Sequence, residues 1–185
     1  MTFASDAVGS GYDDALLRVE YRPRTAPHTK DELLEILDVL ERCGVDAWWY
    51  SVAAKGSYPL FPSAVLPYRE DVATDLYPWL VEEGHRRRIT MFSWEYLNTA
   101  PLVTAAHPDW RVEYLRGPEV FEPRDRHDHF VCLRSPYGEM LADYCVEVLD
   151  GLGFDGIWFD GCYLYGPAAD GFRWSCCCER CARAF

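Results

Sequence analysis

The sequence predicts an α/β fold with a parallel sheet of about four strands, and three observations carry that expectation. Short apolar runs alternate with helices whose ends are marked by capping residues and glycines. The joints from helix to strand are very short, whereas those from strand to helix are long. Nothing after the first strand resembles a phosphate-binding glycine loop, which disfavours a nucleotide-binding doubly wound sheet.

The elements follow in order. Leu16–Tyr21 (LLRVEY) is a weak first strand. Thr29 and Glu32 form a capping box before Leu33, Leu34, Leu37 and Leu40, and Gly44 stops that helix. The apolar run Val45–Val52 (VDAWWYSV) is the second strand. Asp75 is placed to cap a helix through Leu76, Trp79 and Leu80 to Gly84, with Pro78 tolerated in the first turn. Ile89–Tyr96 (ITMFSWEY) follows as the third strand. Ser135 and Pro136 open a third helix, with Leu141, Cys145, Val148 and Leu149 on one face and Gly151 after it. Phe154–Asp160 (FDGIWFD) is the fourth strand, and Glu179–Phe185 begins a fourth helix. Residues 53–74 and 97–134 are long loops rich in Pro, His and aromatics; loops of that length in a compact domain are usually functional. In α/β folds they leave the carboxyl ends of strands, where binding and chemistry sit.

Composition narrows the class. With 18 Lys and Arg against 30 Asp and Glu, the net charge of the 185-residue chain is −12. That balance, without a basic stripe, argues against nucleic acid and anionic membranes as partners. Hydrophobic residues make up 49% and aromatics 15%, too much for a disordered chain. No run approaches the ~20 apolar residues of a membrane span. Residues 1–18 lack the basic-then-apolar pattern of a signal peptide, so a cytoplasmic location is expected.

Without a secretion signal, eight cysteines read better as metal ligands than as a disulfide framework. Cys178 and Cys181 have the two-residue gap of a metal knuckle, and Cys176 adds a third thiolate. Structural zinc takes four tetrahedral ligands, and the fourth is Cys132 or Cys162. The other readings are free thiols or a disulfide between two of the three. Cys43 and Cys145 lie on helix faces and read as small core residues.

Two carboxylates stand near strand ends. Asp160 closes the fourth strand, and period two puts Gly156, Trp158 and Asp160 on one side of it. Asp155, at the strand's beginning, is expected to make structural hydrogen bonds. Glu95 lies near the end of the third strand and is the weaker second carboxylate. Trp49 and Tyr50 end the second strand, Trp94 precedes Glu95, and His107 and Trp110 lie in the long loop. Rings beside acids suit a sugar, whose C–H faces stack on aromatics while its hydroxyls bond to carboxylates. Glycoside hydrolysis typically needs two carboxyl groups flanking the scissile bond.

The runs His107-Pro108-Asp109-Trp110, Val131–Tyr137, Gly153–Gly161 and Cys176–Phe185 together resemble the hypothetical glycosyl hydrolase family 6, amylase-like TIM-barrel proteins. The likeness extends from about residue 30 to the C-terminus and covers the first half of a family barrel. It implies an α/β fold that is the amino-terminal half of a (β/α)8 TIM barrel. On that reading residues 1–185 are a single partial glycoside hydrolase-like domain, truncated after the fourth strand. A more distant likeness is to family 42 β-galactosidases, whose cysteine cluster after the fourth strand binds zinc with one upstream cysteine. It implies Cys132, Cys176, Cys178 and Cys181 as the ligands of a structural zinc. Those enzymes carry an Asn-Glu pair where Gly161 and Cys162 stand here, so their mechanism does not transfer. α-L-Fucosidases offer a third likeness, with an Asp nucleophile in a similar "Trp-x-Asp-Gly"; that maps onto Trp158-Phe159-Asp160-Gly161.

The expectation is therefore a glycoside hydrolase-like chain with a carbohydrate ligand. Asp160 is its nucleophile, Glu95 the weaker second carboxylate, and Trp49, Tyr50, Trp94, His107 and Trp110 the sugar-binding rings. The alternative is a non-catalytic carbohydrate-binding or zinc-stabilised structural fragment. An open edge beside the fourth strand would favour self-association.

Overall fold

The computed structural model describes residues 18–21 (backbone), 28–53, 58–113, 130–160, 176 and 178–184. Strands β1 (Arg18–Tyr21), β2 (Ala47–Tyr50), β3 (Thr90–Tyr96) and β4 (Gly156–Asp160) form one sheet. Every neighbouring pair is parallel, and the spatial order β1-β2-β3-β4 is the chain order. A doubly wound sheet reverses direction part-way across, whereas a barrel adds each strand beside the last. The observed order is the barrel's.

Helix α1 (Lys30–Arg42) starts at the predicted capping box: Glu32 N–H donates to Thr29 Oγ1 and Thr29 N–H to Glu32 Oε2. It buries Leu33, Leu37 and Leu40 against the sheet. Helix α2 (Leu76–Arg86) tolerates Pro78 in its first turn, as expected, but Asp75 makes no side-chain cap. The Leu76 N–H is taken instead by Thr74 Oγ1 at 3.3 Å. Helix α4 (Tyr137–Val146) begins one residue later than a Ser135 cap would set it; Ser135 Oγ accepts the Tyr137 N–H at 3.3 Å and donates to the Cys132 carbonyl at 2.6 Å. The last turns of that helical run, Glu147–Gly151, relax into π geometry. The long loop after β3 hides a short helix, α3 (Pro101–Ala106), and a 3₁₀ turn at Pro108–Trp110 that the hydrophobic pattern did not show. Near the C-terminus, α5 spans Glu179–Ala182. Cys43 is exposed at the end of α1 rather than in the core.

Each helix-to-strand joint uses the same device. Gly44, Arg88 and Gly153 have positive φ (70°, 61° and 85°) and stand two or three residues before β2, β3 and β4. At the first joint Val45 N–H reaches back to the Leu40 carbonyl and Gly44 N–H to Glu41. Ile89 and Arg88 make the equivalent bonds to Gly84 and His85. This paired pattern satisfies the orphaned carbonyls of a helix end and turns the chain directly into the sheet. Asp155 fulfils its expected structural role: one carboxylate oxygen lies 2.8 Å from both His85 Nε2 and the Met91 N–H, tying β4 to α2 and β3.

The main core lies between the sheet and the helices. Trp48, Tyr50 and Met91 pack there with Leu37, Leu80, Tyr137 and Tyr144, and Ile157 and Phe159 border it. Along each strand the residues between these project to the opposite face.

Candidate functional site

Register decides what stands beside Asp160. β3 and β4 pair Trp94 with Trp158, Glu95 with Phe159 and Tyr96 with Asp160. Paired residues on adjacent strands project to the same side. Asp160 therefore shares its face with Tyr96, Trp94 and Trp158, on the side of the sheet away from the core helices. The rings fall into two groups: Trp94 meets Tyr96 edge-on at 4.7 Å and Trp158 at 6.2 Å, and Trp49 stacks on Phe92 at 4.9 Å with planes 11° apart. Trp94 is buried, but Trp158 is 45% exposed, a large apolar surface close to the strand end. The Asp160 carbonyl accepts from Leu97 N–H at 3.1 Å, which locks the end of β4 to the chain leaving β3.

The structure does not bring Glu95 to Asp160. Glu95 points to the opposite face and is buried at 3% exposure beneath α2 and α4. Ser93 Oγ donates to it at 2.6 Å. The Tyr144 hydroxyl lies close to the same carboxyl without the geometry of an ordinary hydrogen bond. Burial raises the Glu95 pKa to about 8, with Ser93 and Tyr144 working weakly against it, so the carboxyl is neutral through most of the physiological range. Tyr77 and Tyr137 ionise with more difficulty for the same reason, burial first and the nearby Glu95 second for Tyr137.

Tyr50 also departs from the expectation. It is fully buried on the helix side, its hydroxyl 2.8 Å from His28 Nδ1, and it presents no surface to a ligand. Trp49 and Trp94 are on the Asp160 face, but Trp94 is buried and, like Tyr50, presents no surface to a ligand. His107 and Trp110 lie in the loop after β3, stacked at 3.8 Å with planes 9° apart. Phe92, Tyr96 and Trp158 complete the aromatic face and were not among the expected sugar-binding rings. Period two already put Trp158 beside Asp160; its companions on β3 needed the register.

The second constellation is sulfur. The thiols of Cys132, Cys176, Cys178 and Cys181 all lie within 4.8 Å of one another, close enough to bind a metal ion. Cys132 Sγ is 3.7 Å from Cys178 Sγ and 3.5 Å from Cys181 Sγ. Four thiolates at about 2.3 Å from a tetrahedral zinc would be spaced about 3.8 Å apart, so the donor set and its spacing fit. Three of the four are buried in a small cluster of their own, bordered by Val112 and Cys176. Backbone N–H groups aim at the sulfurs: Glu113 at Cys176, 3.4 Å away, and Cys181 at Cys178. Burial opposes ionisation of Cys176, Cys178 and Cys181, and it pushes Cys176 up to about 11. At Cys178 the Cys181 N–H and the neighbouring thiols overcome burial and hold the pKa below the ordinary thiol value. Arg180, on α5, donates to the Asp109 carbonyl at 2.9 Å and pairs with its carboxylate at 3.1 Å.

No family model and no curated protein matches the chain. Solved structures do. An α-L-fucosidase isoenzyme 2 from Paenibacillus thiaminolyticus superposes with a TM-score of 0.65 at 17% identity, over 91% of this chain and 25% of that one. The architecture is a partial (β/α) barrel. An α-galactosidase from Lactobacillus brevis matches with a TM-score of 0.58 at 12% identity, over 79% of this chain and 20% of that one. A hypothetical protein from Ruminiclostridium thermocellum ATCC 27405 matches at 0.56 and 17% identity, over 82% of this chain and 77% of its own. The chain thus spans about a quarter of the length of the fucosidase. The fucosidase and the α-galactosidase are glycosidases, and what this chain shares with them is the fold. Among the described residues no helix is long and apolar enough to cross a membrane.

Proposed function

We propose that the chain is a glycoside hydrolase-like (β/α) barrel unit that binds a carbohydrate on the aromatic face beside β4. The observation that supports it most is the placement of Asp160: a carboxylate at the carboxyl end of a barrel strand, beside Trp94, Tyr96 and Trp158. Apolar sugar faces stack on such rings, and a strand-end carboxylate in a barrel meets the ligand.

In this reading Asp160 is the nucleophile of a retaining mechanism. Its carboxylate attacks the anomeric carbon, the glycosidic C–O bond breaks as an acid/base partner gives its proton to the departing oxygen, and a glycosyl ester forms that water, deprotonated by the same partner, then hydrolyses. The acid/base partner has to stand about 5–5.5 Å from it on the same face. We assign Glu95 to the packing layer rather than to this role, since it lies on the other side of the sheet and stays protonated. That placement also supports the second reading, a module that binds sugar without cleaving it. Among the described residues β4 pairs with β3 alone, which supports the proposal that its outer edge takes a further strand or a second copy of the chain.

The four cysteines are proposed to hold a structural zinc. Four thiolate ligands leave no open position for water, so the metal would brace the fold rather than activate a nucleophile.

Two measurements test this. The 185-residue chain is assayed against a panel of aryl glycosides and, in parallel, titrated calorimetrically with the corresponding free sugars. Turnover abolished by Asp160→Asn with binding retained supports the nucleophile; turnover that survives Asp160→Asn sinks it. Binding without turnover favours the second reading, and neither binding nor turnover removes both. Metal analysis of purified protein is expected to find one zinc per chain, lost in Cys178→Ser.

A further inference from the structure

The end of β4 and the cysteine cluster are connected by continuous backbone hydrogen bonding. Leaving β3, Leu97 N–H donates to the Asp160 carbonyl at 3.1 Å, and the adjacent Asn98 carbonyl accepts from Val131 N–H at 2.9 Å. Thr99 pairs with Phe130, and Arg111 with Val131, each as an antiparallel bridge. Val112 N–H donates to the Phe130 carbonyl at 3.0 Å, and Cys132 N–H to the Trp110 carbonyl at 2.7 Å. Segments 98–99, 130–131 and 111–112 thus make a small three-part ladder. Asp160 is held at one side of it and a cysteine of the cluster continues directly from its middle segment.

Among the described residues, the backbone contacts to the cluster come from this ladder and its immediate extension. Glu113 N–H points at Cys176, and Asp109 receives Arg180. The 3₁₀ turn carrying the His107–Trp110 stack lies between these contacts. Among the described residues the cluster packs separately from the main core, with Val112 and Cys176 bordering its buried thiols. Two isolated bridges and a four-residue helix have too few internal bonds to persist unaided. Links between Cys132 and the two C-terminal thiols close loops of 46 and 49 residues, where a cross-link removes the most chain entropy.

We propose that the four-cysteine centre, when it holds its metal, is a clasp on this ladder. Its occupancy sets the order of the site's mouth, meaning the Leu97–Asp160 hydrogen bond and the His107–Trp110 stack. This rests on the zinc and Asp160 readings above and deepens them into a regulation of the same site. The coupling is local: losing the metal loosens the ladder and leaves the packing of α1, α2 and the sheet in place.

Amide hydrogen exchange on the full chain tests it, with zinc bound, after removal by a chelator, and after zinc is returned. The expected result is a loss of protection of at least about tenfold at Leu97, Val112, Val131 and Cys132, restored by zinc, with Ile89 and Val45 unchanged. Tryptophan emission should change in step, and Trp110→Phe should abolish that change. If one zinc is bound and its removal leaves these four amides as protected as before, the clasp is refuted while the metal site stands. An equal loss of protection at Ile89 and Val45 also overturns it, because the metal would then support the whole fold. If the purified chain holds no metal and takes none up, the zinc reading itself fails and the clasp fails with it.

Discussion

Replacing Glu95 by glutamine should change how the stability of this protein depends on pH. The carboxyl is buried under the sheet with Ser93 donating to it, and its pKa is raised from 4.5 to about 8. In the unfolded chain the same group ionises near its ordinary value. Between these two pH values the unfolded state has lost the proton and the native state keeps it. Stability therefore falls as pH rises through this window and is level outside it. At about 1.4 kcal/mol per pH unit, the full excursion is roughly 5 kcal/mol, a large share of the stability of a small domain. Glutamine has the same shape and can still accept from Ser93, so near pH 4 the Glu95→Gln variant should lie within about 1 kcal/mol of the parent. By pH 9 it should be the more stable protein by several kcal/mol. Urea unfolding of both proteins from pH 4 to 9 reads the difference directly, and contributions from other titrating groups cancel in it. A difference that stays flat across this range would refute the placement of a neutral, buried carboxyl. A difference that grows toward acid would mean that Glu95 is ionised and paired instead.

Other substitutions report on the joints. Arg88 is a non-glycine residue at φ 61°, so Arg88→Gly should stabilise the protein by about 1 kcal/mol in thermal or urea unfolding. Gly138→Ala should do the opposite: a Cβ there would lie 2.3 Å from the Leu133 carbonyl, forcing the turn after Cys132 to move. The expected loss is about 2 kcal/mol, together with weaker zinc retention in a chelator competition. Arg87 pairs with Asp38 on α1 and with the mostly buried Glu83 on α2. Arg87→Met should cost about 2 kcal/mol, with a smaller difference from the parent at high salt.

The features legible in the sequence were those encoded by local spacing. The Thr29–Glu32 capping box, the apolar stripe of α1, the tolerated Pro78 and the alternation within β4 each depend on residues a few positions apart. So does the two-residue gap of Cys178 and Cys181. Features settled by longer-range packing were less legible. Asp75 had the right residue type for a cap, but Thr74 took the bond. The short α3 carries too few residues to show a period. Tyr50 and Glu95 looked like rim residues because they end or nearly end a strand, yet both face the helix layer.

The sequence by itself determined that strands and helices alternate, where α1 stops, and which residue types stand near the strand ends, whereas α2 runs past the expected Gly84 to Arg86 and turns at Arg88. Within β3 it also determined that Trp94 and Tyr96 oppose Glu95, since successive side chains alternate. Only the tertiary structure decided which of those faces Asp160 shares. That choice is the β3–β4 register, and a shift by one residue would exchange every side chain between core and ligand side. The same holds for the sulfurs. A local gap supplied the knuckle, but Cys132 meets Cys178 and Cys181 across 46 and 49 residues because the ladder beside β3 carries it there. The physical reason is common to both. Caps and periodicity are short-range constraints written into neighbouring residues, whereas register and loop convergence depend on how separate segments share one buried surface.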